Sequence, residues 1–527
     1  MALTEQQLSK LRRAINENLR VQLAGAEPVP YIDVSSALSD ICSRQNHAVF
    51  ARRGCGKTLL LHHSAKHLDN DIQPIYLNCE DFKHHSFPNV LIEILDALFG
   101  ELKRNLAGWF GKKKKSREII GQIRRDLASL RRQEDKTRTE VVESHGAASE
   151  EGARLGGSIS LGGFGLTGEM TGGASTSTGV ELRYSHKTAK VRELQMWLPQ
   201  LKRQIREFFD LSKTVKTVFL QLDDFYHLAR ADQPDVVDYL HRLCKDMPLY
   251  FKIATLRHSS TLYADRDGQP IGAQERHDYQ PINIDFAFSD FQKTVAQNRQ
   301  IFGQFAILAG LASHDIDSLF KGDGFERLVM AGGGVPRDCL SLFLEVLQAV
   351  SHGDGRIGKD DVRIMSRSNF ERRIEELKQD SAGEEQATLI RGIYVLRKFC
   401  IDKGTNIMMV SEQMMQQEDQ IRGLLYRLLD YRIIHSAGSA LTHKSALGTY
   451  QAFAIDIGCY AHMRKLKKRF NEIDFSVPSG REKMRSAPIL TKEHIAELWS
   501  KAPKDVEAAL RREDDDVDYD FEGQPSL

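Results

Sequence analysis

Two short stretches of this chain combine residue types that can handle phosphate. The first is Ala51-Arg52-Arg53-Gly54-Cys55-Gly56-Lys57-Thr58. Small residues at 54 and 56 let successive backbone N–H groups converge on phosphate oxygens. Lys57 supplies a cation for the β- and γ-phosphates, and Thr58 a hydroxyl for Mg²⁺. The pattern GxxxxGK[ST] asks for glycine in first place, where this chain has the equally compact Ala51. The second stretch is Asp223-Asp224, reached through five largely apolar residues, Val218 to Leu222. Its first carboxylate is expected to hold Mg²⁺ together with Thr58, and its second to orient and deprotonate water. Residues 53 to 58 are therefore expected to bind ATP through Arg53, Gly54, Cys55, Gly56, Lys57 and Thr58. Aspartate at 224 is one methylene shorter than glutamate, which points to slow or partner-gated hydrolysis.

Further polar residues follow at matching places. Thr255, Arg257 and His258 come after the apolar run 250–254, where a polar residue can sense the γ-phosphate. Arg337 begins a helix after Gly332-Gly333-Gly334-Val335-Pro336 and is placed to reach back across a cleft. Arg276, with Arg266 beside it, is a candidate arginine finger toward a neighbouring subunit. The competing reading for each arginine is an ordinary surface residue.

The elements that must position these residues are readable in outline. A leucine-spaced helix covers the first ~25 residues and ends at Gly25, Pro28 and Pro30. Ala48-Val49-Phe50 reads as a strand, and the glycine-rich loop and a helix follow it. Pro74 to Asn78 and Thr217 to Asp224 are further strands, and Tyr250 to Thr255 another. Strand, loop, helix and strand at this spacing begin a parallel α/β sheet. Residues 100–205 read as an insertion into the 29–290 core. Within it, 117–143 is charge-rich with isoleucines and leucines at helical spacing, as in an exposed helix or coiled coil. Residues 146–179 hold eleven glycines, which suits a flexible loop or a hairpin that orders on assembly. Helices are expected over 291–380, as a lid.

At 527 residues the chain is too long for one core, so three or four units are expected. Its net charge of +1 selects neither a nucleic-acid nor an acidic partner, so local charge must decide. Seven dispersed cysteines form no CxxC pair, which speaks for a reducing cytoplasm and against a zinc site. There is no 18-residue apolar run, so no membrane partner is expected, and the first residues do not form a signal peptide.

With these residues in view, the chain resembles AAA+ ATPases of the branch containing the origin-recognition-complex initiators and the STAND signalling ATPases. Phe50 to Thr58 is similar to the arginine-bearing phosphate loops there. Gly334-Val335-Pro336-Arg337 resembles the STAND Gly-x-Pro motif, with arginine where the initiators keep a second sensor. The resemblance spans roughly residues 30–100, 205–350 and 385–460. It implies a P-loop NTPase parallel sheet with a helical lid, followed by a winged helix over 381–470. The residues agree: helices over 388–402, 410–416 and 419–430 precede two strands near 431–435 and 450–455. Gln420, Arg422, Tyr426 and Arg427 on the third helix, with His443 and Lys444, offer a modest surface for DNA. The basic run Arg464 to Arg469 either holds phosphates or is a solvated face. Glu513 to Asp520 is an acidic tail. The leading expectation is an ATP-driven, self-assembling switch that engages DNA, in bacterial defence against phage and with a separate effector protein. A STAND-type sensor whose winged helix binds protein is the alternative, as are a replication or transposition regulator and a fast motor.

Overall fold

The computed structural model describes residues 3–20, 29–104, 112–145, 175–350, 355–460 and 470–502, apart from positions 34, 287, 382 and 478. Most of the glycine-rich stretch, the basic run 464–469 and the acidic tail lie outside the described residues. Five strands form one parallel sheet: β1 (His47–Phe50), β2 (Ile72–Asn78), β3 (Thr217–Asp223), β4 (Leu249–Thr255) and β7 (Gln280–Asn283). Their order is β2-β3-β4-β1-β7. β3 is buried at every position, which is why its sequence is a nearly unbroken apolar run rather than an alternating one. The exceptions inside are satisfied: Gln221 donates to the Leu61 carbonyl and the Ser64 hydroxyl, and Lys252 to the carbonyls of Ser43 and Gln45. β5 (Tyr263–Arg266) and β6 (Gln269–Gly272) make a separate antiparallel hairpin.

The order of the sheet positions the chemistry. β4 lies between the loop strand β1 and the acidic strand β3, with Phe50 level with Thr255 and Leu222 level with Ile253. The C-terminal ends of all three strands therefore meet at one edge, where parallel sheets bind ligands.

Among the described residues between β2 and β3 run the helices Asn89–Arg104, Lys112–His145 and Ser175–Leu211. The second was expected to be an exposed helix or one strand of a coiled coil. Its stripe Ile120, Ile123, Leu127 and Leu130 is instead buried, in one cluster with Leu194, Leu198, Leu201, Ile205 and residues of β2, β3 and β4. Charge dominates its composition, but apolar residues three and four apart suffice to bury one face.

The lid consists of helices Phe291–Leu308, Gly324–Ala331, Pro336–Val350 and Lys359–Asp380. After it come a helix Gly383–Lys403, β8 (Ile407–Ser411), helices Glu412–Gln417 and Asp419–Asp430, β9 (Ile434–Thr442) and β10 (Thr449–Ile455). The three strands pair antiparallel in the order β8-β10-β9. The helix expected from Val410 starts two residues later. Met408, Met409 and Val410 are fully buried and pair with β10, so the sheet claims them. Lid, C-terminal unit and the first helix (Glu5–Asn18) share one hydrophobic core. Among the described residues, no helix is long and apolar enough to cross a membrane.

Candidate nucleotide site

The loop leaves β1 at Phe50 and turns into the helix Lys57–Lys66. Gly54 has φ of +87°, and a Cβ there would lie 2.8 Å from the Arg337 Cβ and 2.9 Å from Val335. Only glycine meets both demands. Ala51 has no positive φ, so its methyl costs nothing where the pattern asks for glycine. Cys55 is buried, and that burial pushes its thiol pKa well up, so it packs as a neutral residue.

Lys57 is buried, and its ammonium donates to the carbonyls of Ala51 (3.0 Å) and Arg52 (3.3 Å). Burial lowers its pKa, while the nearby carboxylate of Asp224 opposes that shift. Thr58 lies beside the Asp223 carboxylate and favours its charged form. The Asp223 carboxylate also accepts from the Tyr76 hydroxyl (2.9 Å) and the Asp224 backbone N–H (2.9 Å). Burial, then the Asp224 charge, raises the Asp223 pKa. Asp224 sits at φ +49°, a conformation uncommon for a residue with a Cβ, which turns it off the strand end. Tyr226 follows in the next turn, where burial raises its phenol pKa and the neighbouring Asp224 charge adds to the rise. Thr255 and Ser260 share a hydroxyl–hydroxyl hydrogen bond at the end of β4.

A hydroxyl and a carboxylate in contact, beside a buried lysine and a glycine cradle, are the hard oxygen donors that suit Mg²⁺ with phosphate oxygens. Among the described residues no group of three or more His, Cys, Asp or Glu could hold a metal by itself. Thr58 and Asp223 would hold the cation, and it would supply charge neutralisation at the phosphates.

The arginines divide. Arg53 pairs with Asp380 at the end of the lid, and its guanidinium lies 4.7 Å from the Tyr226 ring centre. The Arg337 backbone N–H donates to the Gly54 carbonyl at 3.3 Å, and its guanidinium stays one-third exposed, 3.9 Å from Glu376. Arg337 thus lies against the loop, as its place in the sequence suggests. Arg276 lies in an exposed turn ahead of β7, at the strand end opposite the loop. Arg266 pairs with Asp235 on the helix Gln233–Cys244. Arg257 pairs with Glu275 and lies 4.4 Å over the Phe50 ring at the end of β1.

Behind the loop lies a set of residues that motif reading missed. Arg52 turns inward and grips Asp285 through two nitrogens, at 2.6 and 2.8 Å. A third nitrogen of Arg52 lies 3.1 Å from His435 Nδ1, and His435 Nε2 lies 2.9 Å from Asp456. This network assigns the Nε2–H tautomer, with Nδ1 accepting from Arg52. Burial holds the His435 pKa at about 4, against the pull of Asp456. Asp456 also pairs with Arg373, which bonds Asp338 at 3.0 Å and the Arg432 carbonyl at 3.0 Å. Arg432 bonds Asp338 (3.1 Å) and the carbonyl of Arg53 in the loop itself (3.2 Å). Despite burial, Arg432 and Arg373 hold the Asp338 pKa below its usual range. A Cβ on Gly333 would lie 2.4 Å from the His435 ring, so the glycine break also admits this histidine. Arg52 and His435 are 383 positions apart, so no local signal in the chain could have paired them.

The C-terminal unit makes a second contact with the site. The Asp430 carboxylate accepts from the His258 N–H and the Ser259 hydroxyl, and Tyr426 stacks on His258 at 4.2 Å. Burial raises the Asp430 pKa to about 6.

Parallel sheet, glycine-rich strand-loop-helix and acidic strand end together define a P-loop NTPase fold. No known family profile and no curated protein matches the chain. Among solved structures it is similar to the Walker-type ATPase PABY2304 of Pyrococcus abyssi, at 13% identity and a TM-score of 0.34, over 88% of this chain and 96% of that one. A likeness at that level carries no argument, and the site stands on its own geometry.

Proposed function

We propose that this chain is an ATP-binding switch with slow ATPase activity, whose C-terminal unit is latched onto the back of the phosphate loop. The observation that carries this reading is the buried chain of ion pairs and hydrogen bonds from Asp285 through Arg52, His435, Asp456, Arg373 and Asp338 to Arg432. It begins and ends on the loop: Arg52 belongs to it, and Arg432 holds the Arg53 carbonyl. A nucleotide that draws on Lys57, Arg53 and Arg337 differently from this arrangement would shift the latch, as differential affinity requires.

In this reading residues 383–460 are a winged helix in its protein-bound position, closer to a signalling sensor than to a free DNA reader. Of the residues offered for DNA, Tyr426 is stacked on His258 and Arg427 is paired with Glu385. Release would free that helix for self-assembly or DNA, and the output would pass to a separate effector, as in defence against phage. The test is titration of a fluorescent ATP analogue with Mg²⁺ into wild type and Lys57→Ala, with turnover measured in parallel. Saturable binding lost in the variant, with turnover of a few per minute or less, supports the proposal. Equal binding by the variant sinks it.

A further inference from the structure

On the face formed by the helices Ser175–Leu211 and Gln233–Cys244, away from the phosphate loop, lies an open groove of about 720 Å³. Its lining is Leu198, Pro199, Lys202, Arg203, Arg206, Arg242 and Lys245, five cations among seven residues. That concentration stands out on a chain of net charge +1. Arg203, Arg206 and Lys245 are exposed, and their side chains form no ion pair or hydrogen bond with another described residue. Arg242 is held by Gln195 (2.6 Å) and Asp238 (3.3 Å). Lys202 donates to the carbonyls of Arg242 (3.0 Å) and Lys245 (2.7 Å). Those carbonyls end the helix Gln233–Cys244 and would otherwise turn its negative dipole end into the groove. Lys202 covers them, so the groove floor does not repel anions. Asp246 beside Lys245, Glu207 beside Arg206 and Asp210 one turn beyond Arg206 are carboxylates on the same elements, and Glu207 faces Lys115 at 3.6 Å.

We propose that this groove binds the sugar-phosphate backbone of duplex DNA. Arg203 and Arg206 stand about one helical turn apart, roughly 4.5 Å along the axis. They present guanidinium forks that match phosphate oxygens, with Lys245 as a point charge across the groove. The cations line an open trough between two helices, where a protruding phosphate strand can lie along Arg203, Arg206 and Lys245, and the vesicle probe below separates that from a flat anionic bilayer. Its lining has no aromatic residue, so it reads backbone and not bases. This places a nucleic-acid contact on the nucleotide unit, independent of the latched helix Asp419–Asp430.

The experiment uses the full chain, a fluorescent 30-base-pair duplex and a salt series from 50 to 200 mM. The probes for other polyanions are inorganic polyphosphate and phosphatidylserine vesicles. The expected result is duplex binding that the triple variant R203Q/R206Q/K245Q weakens at least tenfold. The plot of log affinity against log salt should flatten by about one for each lost contact, roughly three in all. The charge-matched variant K10Q/R12Q/K66Q should keep the wild-type slope, and the triple variant should keep wild-type ATP binding. An unchanged slope in the triple variant, equal loss in the charge-matched one, or no duplex binding at 50 mM salt overturns the proposal. So does groove-dependent binding of polyphosphate or vesicles alone. Because ATP binding is read separately, this failure is distinguishable from failure of the switch reading.

Discussion

The two sides of the phosphate loop are built in opposite ways. The side facing the nucleotide comes from short motifs: Lys57 and Thr58 are neighbours, and Asp223 reaches Thr58 from the end of a strand in the same sheet. The side facing the C-terminal unit uses Arg52, Asp285, Asp338, Arg373, Arg432, His435 and Asp456, drawn from the loop, the sheet edge, the lid and the last domain. Chemistry at phosphate needs a few groups in fixed local geometry. Control of that chemistry needs groups that belong to different bodies, because only those can separate. The contrast teaches where to cut: one side should govern turnover with little effect on the fold, the other should govern how the units hold together.

The largest separation is expected from Asp223→Asn. Losing the carboxylate that Thr58 contacts should lower turnover by about 100-fold or more. The amide oxygen of the substituted side chain would still accept from the Asp224 N–H, and its NH2 would donate to the Tyr76 hydroxyl oxygen, so the melting temperature should move little. A steady-state phosphate-release assay beside a thermal melt checks both halves.

Asp338→Ala should behave in the opposite way. It strips a partner from both Arg373 and Arg432, leaving buried guanidinium groups under-paired, at a cost of about 3–5 kcal/mol. Chemical denaturation should show that loss in the transition reporting the lid and C-terminal unit. Unchanged denaturation would mean that the network adds nothing to their docking.

How much of this could be read from the chain follows the same division. The loop, Asp223 and the position of Arg337 were legible, because each lies within a few residues of a strand end or a glycine break. The strand β7 was not, since Gln280-Pro281-Ile282-Asn283 is short and lacks an apolar run, yet it completes the sheet beside β1. The end of β8 was read as helix because Val410 and Ser411 serve either element, and only pairing with β10 decides. The latch was illegible because its charges look like surface residues until the fold buries them.

A smaller effect appears with pH. His435 has a folded pKa of about 4, below its ordinary value near 6.5, so the unfolded chain takes its proton first as pH falls. Its contribution is complete above pH ~6.5 and is lost between ~6.5 and ~4, about 3 kcal/mol in all. Asp430 acts in the other direction, with a folded pKa of about 6 against an ordinary value of 3.8. The folded chain takes its proton first, so stability gains as pH falls through 6. The two partly cancel. Asp430→Asn removes the gain, so melting curves of that variant should lose stability on acidification more steeply than wild type between pH 6.5 and 4. Parallel curves would show that Asp430 does not titrate in that window.

In the proposed switch, nucleotide and latch compete for one loop. Hydrogen exchange of backbone amides tests it most directly, on wild type and Lys57→Ala, each with and without ATP and Mg²⁺. ATP should accelerate exchange across 419–435 and 331–340 in wild type and leave Lys57→Ala unchanged. Protection of those segments that is the same with and without bound ATP would contradict it.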